Sequence, residues 1–227
     1  MVGKELIVRS NTYIFKGKFV GDFMNKFSLE NSTIIFCAGP NAGEKTTFSR
    51  KLGKSLTDSL ILDKDTLAQG MLMIRAEAPK YLHELDGSYP MASDFYGTHV
   101  KAQSNGLLFT LARDSLDMGK IPIIDAPNIR EMQTGYFEDV VEPTFNDVDV
   151  RIVYCYASQE VIRERMTQRG EERDASKLES DASWDAFLKD QPIIPSELEK
   201  YDHHKLNTSH GDSRKHMKSV REYLLRE

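Results

Sequence analysis

The chain has 227 residues, 40% of them hydrophobic and 29% charged, which is enough for one large domain with a proper core. Its formal net charge of −5 gives no general attraction to nucleic acid or to an anionic membrane, so nucleic acid is disfavoured as a partner unless a local basic patch supplies it. No apolar run approaches the ~20 residues of a membrane-spanning helix, and the opening stretch MVGKELIVRS lacks the apolar centre of a secretory leader.

Residues 1–30 carry short apolar stretches broken by polar ones and read as an N-terminal appendage to a domain over 31–227. Regular patterning starts at 33–38, a continuous apolar run expected of a strand buried on both faces. A loop follows, then a helical stretch over 46–56 and a second short strand over 59–62 that ends at Asp63. Residues 66–118 are mostly helical in composition, with an interruption at 87–90. A strand over 121–124 ends at Asp125, and 130–145 reads as a helix. Another strand spans 150–156, a helix 159–168, an Arg-rich segment 169–177, and a helix lies around 182–189. A short strand at 205–207 and a helix over 213–225 close the chain.

Short apolar strands alternating with longer helices predict an α/β fold of three layers, a parallel sheet with helices on both faces. Ligands of such sheets gather beyond the carboxyl ends of the strands, so the chemistry is expected just after Ala38, Leu62, Ile124 and Tyr156. Cys37 and Cys155 sit inside strand-like runs and read as buried reduced thiols, in keeping with a cytoplasmic protein. His203 and His204, in a polar run, read as a solvated surface feature, while Trp184 and Phe187 at helical spacing read as core.

The segment GPNAGEKTT, Gly39 to Thr47, nearly spells the phosphate-loop pattern G-x-x-x-x-G-K-[ST] and stands between a buried strand and a helix. In that setting the backbone of Gly39, Pro40, Asn41, Ala42 and Gly43 surrounds an anion, Lys45 reaches the β- and γ-phosphates, and Thr46 offers its hydroxyl to Mg²⁺, with Thr47 beside it. Two positions depart from the fuller pattern. Ala42 replaces a middle glycine, and Glu44 replaces the last one. A carboxylate ~5 Å from a phosphate charge costs roughly 3 kcal/mol at an effective dielectric near 20, on the order of a hundredfold in affinity. A nearby cation, or a side chain turned to solvent, removes most of this, and Gly43 offers backbone freedom one residue early.

Three acids end strands or start the next element. Asp65 is placed to accept a proton from a substrate hydroxyl, with Asp63 starting the helix or standing beside the substrate; both also suit plain helix caps. Asp125 ends an apolar strand and suits Mg²⁺, substrate orientation or a strand-end cap, and Asn128 and Arg130 extend towards the same rim. Arg165, Arg169 and Arg173 recur every four residues; Gly170 is expected to end their helix and begin a lid over 165–178, against the plainer reading of a solvated charged helix.

Together GPNAGEKTT, LDKDTL, IIDAPNIRE and RERMTQRGEERDASKL before WDAFLKDQP resemble the small P-loop kinases of the polynucleotide-kinase and zeta-toxin type, often described as AAA-family ATPases, over roughly residues 32–210. The resemblance implies a three-layer P-loop NTPase or kinase fold with a helical substrate insertion over about 66–118 and an Arg-rich lid. It implies Mg·ATP-dependent transfer of the γ-phosphoryl group to a hydroxyl of a small molecule, nucleotide sugar or nucleic-acid end. Matched residues are Lys45 and Thr46 for phosphate and Mg²⁺, Asp65 as general base, Asp125 as the strand-end acid, Asn128 after it, and Arg169 and Arg173 as lid arginines; Arg165 is a candidate nucleotide-binding residue beside them. The adenine is expected around Asn207–Ser209. Ala68, where a nucleic-acid-directed member presents an arginine, argues against a polynucleotide acceptor. Arg75, Tyr81, His83, Tyr89, Tyr96, His99 and Lys101 in the insertion are candidate substrate contacts. The competing class is a nucleotide-binding regulatory or partner-binding protein whose degenerate loop leaves little catalysis; no N-K-x-D motif points to a GTPase switch.

Overall fold

In the computed structural model, residues 26–76 and 96–226 are described. Five strands, β1 Thr33–Ala38, β2 Ser59–Asp63, β3 Ile121–Asp125, β4 Asp149–Tyr156 and β5 His203–Asn207, form one sheet in the order β2-β3-β1-β4-β5. Every pairing is parallel. The register sets Cys37 of β1 and Asp63 of β2 each opposite Asp125 of β3, so the strand ends share one edge.

The helices are α1 Lys45–Ser55, α2 Lys64–Ala76, α3 Lys101–Asp117, α4 Ile129–Gln133, α5 Glu142–Thr144, α6 Gln159–Arg169, α7 Glu172–Leu178, α8 Asp181–Asp190 and α9 Ser213–Leu224. The two-residue period of β1 divides the core. Ile34, Phe36 and Ala38 pack with Leu108, Ala112 and Leu116 of α3, while Ile35 and Cys37 pack with Phe48 and Leu52 of α1 and with Met217, Val220 and Leu224 of α9. Each such fully buried aliphatic side chain contributes about 1.5–3 kcal/mol, which fixes the helices against both faces. The result is the three-layer α/β architecture that the pattern predicts.

Several local expectations change. The stretch read as one helix over 130–145 is broken into α4, a π-helical turn Phe137–Val141 and α5, with Gly135 at φ 76 between the pieces. His203 and His204 belong to β5: His204 is half-buried, its Nε2 lies 3.1 Å from Ser219 Oγ, and its ring stacks on Tyr223 at 5.5 Å. An amphipathic strand bearing polar residues on its solvent side hides the pattern there. Phe27 lies within the stretch read as an appendage, yet it is buried with Ile35, Leu52 and Leu56 and bridges to Leu56. The proposed interruption at 87–90 lies outside the described residues, as do Tyr81, His83 and Tyr89. A π-helical turn Tyr96–Val100 leads directly into α3, and its Val100 packs on Ala68. Trp184 and Phe187 are core as expected, with ring centroids 5.3 Å apart, and Cys37 and Cys155 are buried and free. Among the described residues no helix is long and apolar enough to cross a membrane.

Candidate active site

The loop between β1 and α1 is shaped by the backbone of β4. A Cβ on Gly39 (φ 134) would stand 1.9 Å from the Cys155 carbonyl oxygen, and one on Gly43 would stand 2.8 Å from the same atom and 2.9 Å from the Pro40 oxygen. The need for glycine at 43 is therefore close approach. The left-handed conformation falls elsewhere, on Ala42 (φ 59) and Glu44 (φ 62), the two positions that depart from the pattern. Backbone freedom is thus not transferred to Gly43; Ala42 and Glu44 bear the strain, at about 1–2 kcal/mol each.

Glu44 is half-exposed, and its Oε1 lies 3.2 Å from Arg165 Nη2. The same guanidinium donates to the Ala42 carbonyl (3.2 Å), to Thr208 Oγ1 (3.1 Å) and to the Thr208 carbonyl (2.6 Å). Thr208 in turn donates to the carbonyls of Gly43 (3.3 Å) and Tyr156 (3.0 Å). Arg165, from the middle of α6, therefore ties the loop to the turn after β5 and supplies the counter-ion that Glu44 needs.

Lys45 is buried, and its Nζ donates to the Pro40 carbonyl at 2.8 Å. Burial pulls its pKa down while Asp125 opposes that shift. Asp125, at the end of β3, is also buried; burial pushes its carboxyl up, against hydrogen bonds from Thr46 and Ser49 and the charge of Lys45. Ser49 Oγ lies 2.9 Å from Asp125 Oδ2. Thr46 and Asp125 thus form a hydroxyl–carboxylate pair beside a buried ammonium. The chemistry of that donor set fits a nucleotide phosphate with Mg²⁺, a cation that takes one or two protein oxygens and completes its shell from phosphates and water. Among the described residues no group of three or more His, Cys, Asp or Glu is assembled for a metal.

A cavity of about 320 Å³ opens over this loop, with Asn41, Ala42, Glu44, Lys45, Thr46 and Thr47 on one side. Asp63, Asp65, Asp125, Arg165, Arg169 and Arg173 complete its charged wall. A second cavity of about 420 Å³ is lined by Lys64, Tyr96, Lys101, Arg130, Glu131 and Lys177 among others. The two share Asn41, Asp65, Pro127 and Arg173.

Asp63 Oδ1 accepts from the backbone N–H groups of Asp65 (2.9 Å) and Thr66 (3.2 Å), so it starts α2 and aims Asp65. Asp65 Oδ2 takes a hydrogen bond from Arg173 Nη1 at 2.9 Å. Gly170 (φ 61) ends α6 after Arg169, as the sequence predicts, and α7 carries Arg173 back over the site. Arg169 is paired with the buried Asp174, which also holds Lys177 at 2.8 Å. The three arginines therefore do not share one helix face, yet all reach the first cavity.

Other expected residues lie apart. Asn207 ends β5 exposed, its Oδ1 accepts from the Ser209 N–H at 2.9 Å, and it is not among the residues lining the first cavity. Asn128 is buried at φ 58 before α4, and its Nδ2 has no hydrogen-bond partner among the described residues. Arg130 is ion-paired with Asp190 on the rim of the second cavity. Lys64, Glu131, Lys177 and Gln191 also line that cavity; each stands inside one of the motif segments, yet none was assigned a role from sequence.

A family model described as an AAA domain matches residues 34–191. No curated protein matches the chain. Among solved structures, a presumed kinase from Chloroflexus aurantiacus is similar with a TM-score of 0.58 at 20% identity, covering 86% of this chain and 97% of that one. At that identity the likeness bears on the fold alone. Deoxyadenosine kinase from M. mycoides, with bound dCTP, aligns at a TM-score of 0.41 and 11% identity over 85% of this chain and 98% of that one, too remote for any argument. The family match runs from the first core strand through the phosphate loop, the three acids and the arginine segment, well over half of the sequence: the chain belongs to the AAA domain family.

Proposed function

We propose that the chain is a kinase that transfers the γ-phosphoryl group of Mg·ATP to a hydroxyl of a second substrate. The observation that carries this reading is the position of Asp65 in the wall common to both cavities, one lined by the phosphate loop and the other free for an acceptor. The Asp65 carboxylate accepts the proton of the acceptor hydroxyl as its oxygen forms a bond to the γ-phosphorus. The bond from that phosphorus to the β–γ bridging oxygen breaks, and ADP leaves with the electron pair. Lys45 binds the β- and γ-phosphates, Thr46 and Asp125 hold Mg²⁺, and Arg169 and Arg173 receive charge that spreads over the transferring group. Held by Thr46 and Asp125, Mg²⁺ would supply positive charge against the phosphate oxygens. Arg173 has a second task, holding Asp65 by one oxygen and leaving the other for the acceptor.

Fold and family membership support the nucleotide half of this reading; the paired cavities support the transfer half. The competing binder reading draws on Glu44, yet its ion pair with Arg165 answers the charge objection. Acceptor-dependent ADP release, abolished by Asp65→Asn with nucleotide affinity kept, is the expected result. Nucleotide binding with no turnover against broad pools of alcohols contradicts it.

A further inference from the structure

Among the described residues, the second cavity holds more positive charge than the carboxylates close to it neutralise. Lys64, the first residue of α2, is 4% exposed, and its Nζ lies 3.5 Å from Oε1 of Glu131. Lys101, the first residue of α3, stands 3.8 Å from that same oxygen. One carboxylate therefore serves two ammonium groups, both at long range. The other cations near this wall are matched in number: Arg130 has Asp190, while Arg169, Arg173 and Lys177 share Asp65, Glu171 and Asp174. Among the described residues, what remains is the Lys64–Lys101 pair with one carboxylate in ion-pair range of both ammonium groups and only the longer-range fields of Asp65 and Asp190 besides, facing a cavity of about 420 Å³.

Its environment makes that charge expensive to leave alone. Lys64 has its pKa pulled down by burial, and Glu131, which burial would raise, is held below its ordinary range by the two lysines. An ammonium with one shared, distant partner in a low-dielectric wall gains most from a further anion placed between the two cations. Lys64 precedes Asp65 at the start of α2 and both line this cavity, so one small molecule can meet both side chains.

Resting on the kinase reading, we infer that the phosphoryl acceptor is an anionic alcohol: a hydroxyl compound carrying a phosphate ester or a carboxylate, whose anionic group sits on Lys64 and Lys101 while its hydroxyl faces Asp65. Neutral sugars and other uncharged alcohols leave the surplus charge unmatched and are poor acceptors. Glu131 sets the two ammonium groups as one receptor.

The anion site is tested without ATP, so its fate is separate from that of the kinase reading. The protein with Lys45→Met, which disables the phosphate loop, is titrated with inorganic phosphate by calorimetry. Saturable binding is expected, weakened about tenfold by adding Lys101→Met, a change at a part-exposed position, and by adding Lys64→Met, while Lys101→Arg keeps it. Absence of saturable binding overturns the inference, as does binding that neither lysine change affects. Glucose 6-phosphate, gluconate and glucose are then compared as competitors of the bound phosphate. Displacement by the phosphate ester or the carboxylate supports an anionic acceptor and tells which anion is preferred; glucose competing as well as both overturns it. If ADP release with alcohols fails while phosphate binding and its lysine dependence hold, the kinase reading falls and the anion site stands.

Discussion

Arg165 Nη2 lies 3.2 Å from Glu44 Oε1, so the one phosphate-loop residue that departs from pattern by a charge comes with a counter-ion. The same guanidinium holds the Ala42 carbonyl and the turn at Thr208, which makes it a loop anchor as well. Charge and anchoring separate in a double-mutant cycle. Glu44→Gly is expected to raise stability by about 1 kcal/mol, because glycine adopts φ 62 without strain. In the wild-type background it tightens ATP binding only several-fold; with Arg165→Met in place, it restores about tenfold or more. Calorimetric titration of the four proteins measures the coupling, and additive effects contradict the pairing.

Gly39 and Gly43 are fixed by the Cys155 carbonyl, not by phosphate. Gly39→Ala drives a methyl group into β4 backbone at 1.9 Å and is expected to cost 3 kcal/mol or more. Gly43→Ala, at 2.8 Å, is expected to cost about 1–3 kcal/mol and to distort the loop. Denaturant unfolding of both variants without nucleotide checks the order; a milder effect at 39 than at 43 argues against this packing.

The central strands were legible because buried parallel strands are continuous apolar runs: TIIFCA is buried at all six positions, and the observed bounds of β1 match the predicted ones, whereas the polar edge strand β5 was read short. The helix stop at Gly170, and the placing of the 39–47 loop, Asp65 and Asp125 at one cavity, were legible because each follows from local pattern and strand-end position. The second cavity was not. Lys64, Glu131 and Lys101 come from three elements far apart in sequence, and only the tertiary fold brings them to one carboxylate oxygen. The role of Arg165 was hidden for the same reason. The sequence shows an arginine in a charged helix, and its partners at 42, 44 and 208 depend on the approach of α6 to the loop.

Asp125 gives a pH dependence with a defined sign. Burial raises its pKa in the folded state above the ordinary ~3.9, so its contribution to stability is full below that value and is lost as pH rises through the raised one. Mg²⁺ binds the ionised carboxylate and so offsets that loss only on the alkaline side. The gain in melting temperature from Mg·ATP is therefore expected to grow as pH climbs through the raised pKa, and Asp125→Asn flattens the curve. Thermal unfolding with and without Mg·ATP, from about pH 4 to about pH 8, checks it.

His204 gives the opposite slope. Its pKa is lowered by burial and then by Arg226 and His203, so its contribution is full above about 6.5 and lost as pH falls through the lowered value. His204→Phe keeps the stacking on Tyr223 and removes the titration. Stability of that variant is expected to be less sensitive to acid than the wild type; an unchanged acid dependence places the titration elsewhere.

Asp65→Asn keeps the size of the side chain and removes its basicity, so turnover is expected to fall by about 10²–10⁴ while nucleotide affinity stays within a few-fold. The most direct measurement of the whole account follows the label of γ-³²P-ATP in the presence of anionic alcohols. The account predicts label on the acceptor with wild-type protein and its loss with Asp65→Asn. Label released only as inorganic phosphate whatever alcohol is present, or transfer that survives Asp65→Asn undiminished, contradicts it.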